Sequence, residues 1–209
     1  MRAAHRASRE RAARQPVSGP PVLVHVDEAC LGNGTDPPNP GGAGGLVEME
    51  HKGVIVRRDY FLAVPDTTNN RMALFSAIAG LELLGARGHR LLVTFVSDST
   101  YLIKGMNEWV DAWKRKDWKR REGKKLVDPE NLELWRRLDV LRGRHDITWK
   151  WVRGHAGHAK NEYANLLATR AAAHQKSADT LVESGFLEWL AQEREKGKYL
   201  KYDPDDLTP

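Results

Sequence analysis

Hydrophobic and polar positions along the first third of the chain follow the period of β-strands. The stretches 22–27, 44–50 and 53–62 are rich in β-formers and separated by short turns, which predicts three antiparallel strands. Apolar residues at three- and four-residue steps then predict a helix from Asn70 to about Gly85. Two later β-rich runs, 91–98 and 146–152, predict a central fourth strand and a fifth.

The segments between and after these later strands predict helices. They cover residues 99–110, the region around a basic stretch, 129–142, 161–173 and about 180–195. This order predicts an α/β fold with a mixed five-stranded sheet, three antiparallel strands and then two more, flanked by helices. We expect one domain at residues 21–175, a disordered basic arm at 1–20, and a C-terminal helical extension and tail at 176–209.

Composition excludes some classes of protein. No apolar run approaches the ~18 residues of a membrane helix, and the single Cys30 excludes a disulfide framework. The Arg-rich arm fits either a transit peptide or a solvated arm, and its lack of an apolar stripe favours the latter. We therefore expect a cytoplasmic, monomeric protein that does not bind membranes.

The positive charge of the chain is concentrated. The net charge is +5, and residues 109–125, here called the basic segment, carry eight Lys or Arg against three acids. Such a density of bases can neutralise the phosphates of a nucleic acid. Trp109 and Trp113 lie one helical turn apart in this segment, so they either pack against the body of the domain or contact the ligand.

Two acids close predicted strands. Asp27 ends the first strand and Asp98 ends the fourth, and carboxylates at the ends of neighbouring strands can share a hard cation such as Mg²⁺. Two such ions can activate water and stabilise the leaving oxygen of a phosphodiester. A zinc site made of Asp98, His155 and His158 is disfavoured, because the chain offers neither a cysteine ligand set nor an HExxH helix.

The ordered motifs resemble one known family. "VDEACLGN", "PGGAGG", "TTNNRMAL", "VSDSTYLIKGM" and "KWVRGHAGHAKNEYAN" are similar to the bacterial-type ribonuclease HI family over about residues 23–172. The resemblance implies a ribonuclease H-like fold and endonucleolytic hydrolysis of the RNA strand of RNA–DNA hybrids. It also implies a two-metal-ion mechanism with Mg²⁺, or Mn²⁺ as an alternative, held by an Asp-Glu-Asp-Asp set.

The catalytic positions of that family are only partly acidic in this chain. Asp27 and Asp98 match the first and third acids, the Glu falls on Ala73, and the last Asp falls on Asn165. The resemblance thus implies metal ligands at Asp27, Asp98 and Asn165, and it matches His155 to the family's mobile-loop histidine. A methyl group at position 73 offers no ligand, so we expect impaired activity.

Two other acids are candidates to replace the missing one. Glu28 follows Asp27 directly, so strand alternation predicts that its side chain leaves the opposite face. Glu162, one turn before Asn165, is then the only stand-in. The sequence leaves open an impaired ribonuclease H or a non-catalytic module that binds RNA–DNA hybrids.

The substrate-binding positions implied by the resemblance are better retained. They are polar residues for the sugars and phosphates of the hybrid, and bases and tryptophans of the basic segment for its DNA strand. The set comprises Asn33, Thr68, Asn69, Asn70, Trp109, Trp113, Lys114, Arg115, Lys116, Lys119 and Arg120. Thr68 and Asn69 can equally serve as helix caps.

Overall fold

The structure is a computed structural model that describes residues 16–17, 19–32, 36–154 and 156–209. Most of the predicted arm, together with Asn33 and His155, lies outside the described residues. Within the described part, no helix has the length and apolar character needed to cross a membrane.

Eight strands and six helices make up the described chain. The strands are β1 (Val22–Cys30), β2 (Gly41–His51), β3 (Val54–Val64), β4 (Leu92–Ser97), β5 (Arg120–Glu122), β6 (Lys125–Val127), β7 (Asp146–Trp151) and β8 (Val182–Glu183). The helices are α1 (Asn69–Gly85), α2 (Thr100–Lys104), α3 (Val110–Lys114), α4 (Leu132–Arg142), α5 (Ala159–His174) and α6 (Phe186–Glu195), with a π-helical turn (Gly105–Trp109) joining α2 to α3.

The main sheet has the order β7-β4-β1-β2-β3-β8. Strands β1, β2 and β3 form an antiparallel meander, and β4 and β7 run parallel to β1. The predicted α/β fold with a mixed sheet is confirmed. The predicted count of five strands is wrong by one, because the two residues of β8 pair with Arg58 and Asp59 at the outer edge of β3.

Helices cover both faces of the sheet. Helices α1 and α4 enclose the larger hydrophobic core with Val24 and Val26 of β1. Helix α5 lies on the other face, where Gly44 allows close contact, because a Cβ there would lie 2.4 Å from the carbonyl oxygen of Ala164. Helix α6 packs against α5 through Phe186 and other apolar residues. This layering brings the N-terminal end of α5 close to the end of β1.

Two predicted helices differ from the observed ones. The helix in the basic segment ends at Lys114, because Asp117 and Trp118 adopt positive φ angles of 54° and 60° that no helix accommodates. The rest of that segment forms the β5–β6 hairpin. The last helix starts at Phe186 rather than near 180, since the preceding residues pair as β8 and Ser184 Oγ then accepts a hydrogen bond from the Phe186 amide.

Candidate active site

The structure brings Asp27 and Asp98 together and adds a third acid, although Asp27 lies three residues before the end of β1 rather than at its end, because pairing with β2 continues to Cys30. Ligand atoms of Asp27, Glu28 and Asp98 all lie within 4.8 Å of one another. We call these three residues the carboxylate cluster. Among the described residues the cluster includes no histidine, so a zinc site with His158 finds no support. Three convergent carboxylates are the donor set that a hard divalent cation requires, and they fit one.

The position of Glu28 corrects the alternation argument. Glu28 still pairs with Ala43 of β2, but the parallel ladder between β1 and β4 ends at His25 with Val96, so the β4 side of β1 is open at Glu28. Its amide donates a hydrogen bond of 2.7 Å to Oδ1 of Asp27, and its side chain reaches the neighbourhood of Asp98 and Ser99. Glu162 does not belong to the cluster, although its charge acts on Asp27. Of these two acids it is therefore Glu28, and not Glu162, that lies with Asp27 and Asp98.

Burial and like charge make this cluster electrostatically costly without a cation. Burial, and next the charge of Asp98, raise the pKa of Asp27 to about 8. Burial, followed by the charges of Asp27 and Asp98, raises the pKa of Glu28 to about 8. Oε2 of Glu28 is buried and has no hydrogen-bond partner among the described residues. A cation would offset all three effects, which indicates what the cluster is built to hold.

We predict that Glu28→Gln stabilises the metal-free protein in a pH-dependent way. An acid with a raised pKa in the folded state destabilises the fold increasingly as pH rises from its ordinary value of 4.5 towards about 8. The melting temperature of the variant should therefore exceed that of the parent most at pH 8–9 and least near pH 4–5, in EDTA. Glu50→Gln, at an exposed position, is the control. A difference that does not change with pH would contradict this electrostatic account.

Helix α5 contributes the amide of Asn161 to the site and carries Asn165 one turn later. Asn161 is buried, and its Nδ2 donates a hydrogen bond of 2.9 Å to Oδ2 of Asp27, which fixes that carboxylate. Asn165 lies four residues later, on the same side of the helix, and is half-buried. Sequence reasoning missed Asn161 as a site residue, since a buried Asn one turn before Asn165 gives no distinctive signal.

Ala73 lies within the hydrophobic core. The residue is fully buried in the second turn of α1 and belongs to the same apolar cluster as Val24 and Val26. It offers no ligand atom, as its side chain dictates.

Gly154 allows the loop after β7 to approach the cluster closely. A Cβ at this position would lie 2.1 Å from Oδ2 of Asp98, well inside van der Waals contact. The carboxylate of Asp98 and this loop therefore fix each other's positions.

We predict that Gly154→Ala lowers the rate of the reaction at the carboxylate cluster roughly 10²-fold. The added methyl group would displace the carboxylate of Asp98, and a displacement of a reacting group by about 1 Å has an effect of this size. Gly85→Ala is a matched control, since its new Cβ would meet its nearest atom at an ordinary 3.5 Å. Both variants should be compared by initial rates and by melting temperature. Equal rates for the two variants would contradict the prediction.

The polar residues at the start of α1 form an exposed edge. Thr68 is the N-cap, and its Oγ1 accepts a hydrogen bond of 3.4 Å from the amide of Arg71. Asn69 and Asn70 begin the helix and are exposed, as is Thr68. Capping and exposure coexist, so these residues can serve the helix and a ligand together.

The basic segment presents both a packed and an exposed side. Trp109 and Trp113 are half-buried, and the ring of Trp113 lies 5.7 Å from that of Trp135. Together with Tyr101 and Arg120 they also line a cavity of about 320 Å³. The packing and ligand interpretations of these tryptophans are thus compatible.

The bases of this segment divide into two groups. Lys114, Lys119 and Arg120 form ion pairs with Asp139, Asp128 and Glu122 at 2.7, 2.7 and 3.1 Å. Arg115 and Lys116 are exposed, and no ion pair joins them to a described acid. These two bases are the most available of the predicted set for phosphate contacts.

Comparisons with known proteins show which family this chain resembles. The sequence profile of the RNase H family matches residues 20–173. A ribonuclease H of Ruegeria pomeroyi is 45% identical over 150 residues, which cover 71% of this chain and 90% of that relative. A ribonuclease HI of Caulobacter vibrioides is 42% identical over 149 residues, covering 71% and 91%.

Two solved structures are also similar to this chain. The crystal structure of "LC9-RNase H1, a type 1 RNase H with the type 2 active-site motif" is 46% identical with a TM-score of 0.79, covering 88% of this chain and 86% of that one. LC11-RNase H1, solved in complex with an RNA/DNA hybrid, is 18% identical with a TM-score of 0.54, and it supports the fold alone.

An α/β fold with a mixed sheet and an acidic cluster near the ends of β1 and β4 defines the class of ribonuclease H-like enzymes. The matches over most of the chain narrow this class. The chain belongs to the bacterial-type ribonuclease HI family and is a ribonuclease H enzyme, as the sequence motifs predicted.

Proposed function

We propose that this chain hydrolyses the RNA strand of RNA–DNA hybrids, and that Glu28 supplies the carboxylate that Ala73 does not. The carboxylate cluster carries this proposal, because three acids converge at the family's site although one family position is apolar. LC9-RNase H1, 46% identical to this chain, is itself described as a type 1 RNase H with the type 2 active-site motif, so the active-site motif is not uniform among proteins of this kind. Impairment by Ala73 is then not expected.

Each residue of the site has a proposed role. Asp27, Glu28 and Asp98 would hold Mg²⁺, or Mn²⁺, with Asn165 as a neutral oxygen ligand. The bound ions would supply Lewis-acid stabilisation of the phosphodiester and a nucleophilic water. Asn161 orients Asp27, and Gly154 sets the position of Asp98. His155 would handle the late proton step, as the family resemblance implies.

The proposed substrate contacts flank the cluster. Thr68, Asn69 and Asn70, with Asn33, would contact sugars and phosphates across the shallow minor groove, where the 2′-hydroxyl distinguishes RNA. The basic segment would hold the DNA strand through Arg115 and Lys116 and through the cavity at Trp109. One face of the molecule would thereby contact both strands.

The test is strand-specific cleavage. RNA–DNA hybrid, double-stranded RNA, double-stranded DNA and single-stranded RNA of one sequence are each labelled and incubated with the protein in Mg²⁺ and in EDTA. We expect cleavage of the RNA strand of the hybrid alone, and only with the metal. Hybrid that is bound tightly but left uncut in both Mg²⁺ and Mn²⁺ would instead support the non-catalytic module.

We predict that Lys116→Glu weakens hybrid binding about tenfold at low salt and reduces the salt dependence of the binding constant. Losing one phosphate contact lowers the slope of log K against log salt by about 1. Fluorescence anisotropy at several salt concentrations measures both effects. Lys176→Glu, at an exposed position outside the basic segment, is the control. Identical slopes for the two variants would remove Lys116 from the interface.

A further inference from the structure

Trp151 is an exposed aromatic residue beside the carboxylate cluster. All seven tryptophans lie in described ranges, and Trp151, at 49%, is the one that ranks as exposed rather than half-buried or buried. Its Nε1 donates a hydrogen bond of 3.0 Å to the carbonyl oxygen of Asp98. The indole is therefore held against the backbone of Asp98, a proposed metal ligand, while half of its surface meets solvent.

The ring forms one wall of a groove. A cavity of about 360 Å³ lies between Trp151 at the end of β7 and the outer side of α2 and the π-helical turn, lined by Thr100, Ile103, Lys104, Asn107, Glu108 and Trp151. Nδ2 of Asn107 donates a hydrogen bond of 3.2 Å to the carbonyl oxygen of Trp149, which ties the opposite wall to β7. Both walls are thus fixed to the sheet.

The groove extends the proposed nucleic-acid binding surface towards β7, where no substrate contact has been proposed so far. The polar residues before α1 lie near β2, where the amide of Thr67 donates to the carbonyl oxygen of Asn39, while the groove lies at the β7 edge. The carboxylate cluster lies between them at the ends of β1 and β4. A strand whose phosphate sits at the cluster therefore has the groove as its exit on the β7 side.

The chemistry of the groove selects a single strand. The groove is separate from the cavity at Trp109 and Trp113. Tyr101 of α2 lines that cavity, whereas Thr100 and Ile103 line the groove. A base within a duplex is covered by its neighbours, whereas an unpaired base can lie flat on an indole. Lys104 is exposed and can pair with a phosphate. Glu108, at the other end of the groove, would repel a phosphate placed there.

We infer that the groove binds an unpaired nucleotide of the RNA strand where that strand leaves the hybrid, with the base on Trp151 and a phosphate at Lys104. This inference rests on the proposed function, and it adds a preference for hybrids whose RNA strand extends beyond the duplex. The enzyme would then favour junctions between hybrid and single-stranded RNA over blunt hybrids.

The test measures binding separately from cleavage. The probes are a blunt 12-base-pair hybrid and the same hybrid with a four-nucleotide extension of its RNA strand at the 5′ or the 3′ end, in metal-free buffer. We expect one of the two extensions to lower the Kd about tenfold, in line with one stacked base. Trp151→Leu and Lys104→Ala should each abolish this gain and leave the Kd of the blunt hybrid unchanged.

Lys104→Ala makes the test independent of Asp98, because this side chain does not contact the cluster. Lys176→Ala is the matched lysine control and should keep the gain. No gain from either extension in the parent protein, or a gain that survives both groove variants, would overturn the inference and leave the proposed function standing. A protein that binds extended hybrids through Trp151 but cuts nothing in Mg²⁺ would retain the groove and refute the proposed function.

Discussion

Glu28→Gln is expected to lower the rate of hybrid cleavage about 10²- to 10³-fold while hybrid binding is preserved. The substitution keeps the size of the side chain and removes one of three converging carboxylates. Metal-ion stabilisation of a phosphodiester transition state is worth several kcal/mol, which corresponds to rate factors of this order. Single-turnover rates at saturating enzyme, with anisotropy for the Kd, separate the two effects.

Glu162→Gln is the matched control for this experiment. Glu162 is the acid that the sequence favoured, it lies on α5 beside Asn161, and it is outside the carboxylate cluster. We expect its loss to change the rate only severalfold, through the field it exerts on Asp27. A larger loss of rate in Glu162→Gln than in Glu28→Gln would mean that Glu162 on α5, and not Glu28, acts as the third carboxylate.

The largest expected effect on stability comes from Glu48→Gln. Glu48 is fully buried on β2, and its carboxylate pairs with Arg57 at 2.9 Å and with Lys160 at 2.8 Å, both of which are nearly buried. Removing the anion leaves Lys160 with the carbonyl oxygen of Asp206, and Arg57 with the carbonyl oxygen of Pro204 and the exposed carboxylate of Asp205. Breaking a buried pair costs about 3–5 kcal/mol. The melting temperature should fall by roughly 6–20 °C for a chain of this size.

The control lies on the same strand. Glu50→Gln removes an equal charge at an exposed position and should change the melting temperature by less than about 2 °C. Calorimetry or circular dichroism at one salt concentration gives both values. A small effect of Glu48→Gln would mean that water replaces the lost partner.

The first four strands and α1 could be predicted because their apolar periods are regular and their turns are short. Asp27 and Asp98 were found for a related reason, since strand ends on one side of a sheet collect side chains. Glu28 was misplaced because alternation considers only the two faces of the sheet, whereas the β4 ladder ends at His25 and leaves the β4 side of β1 open at Glu28, so that its side chain reaches Asp98. The adjacent acids in "VDE" at a strand end were the available signal.

The C-terminal residues show what local pattern cannot reveal. The amino-acid pattern of 203–209 indicates no element, yet Leu207 packs with Leu23, Val96 and Val152 on the open part of the sheet. Backbone oxygens of the same tail accept hydrogen bonds from Arg57 and Lys160. These partners lie about 50 to 180 residues away along the chain, so sequence periodicity carries no information on them.

One comparison of rates tests the central claim most directly: the unmodified chain against Ala73→Glu, cutting a labelled RNA–DNA hybrid in Mg²⁺. If Glu28 completes the acidic set, the unmodified chain cuts the RNA strand and the added acid brings no gain. It can even slow the enzyme, because position 73 is fully buried in the core. An unmodified chain that is silent, together with an Ala73→Glu variant that cuts, would contradict the account and show that Glu28 cannot replace the missing carboxylate.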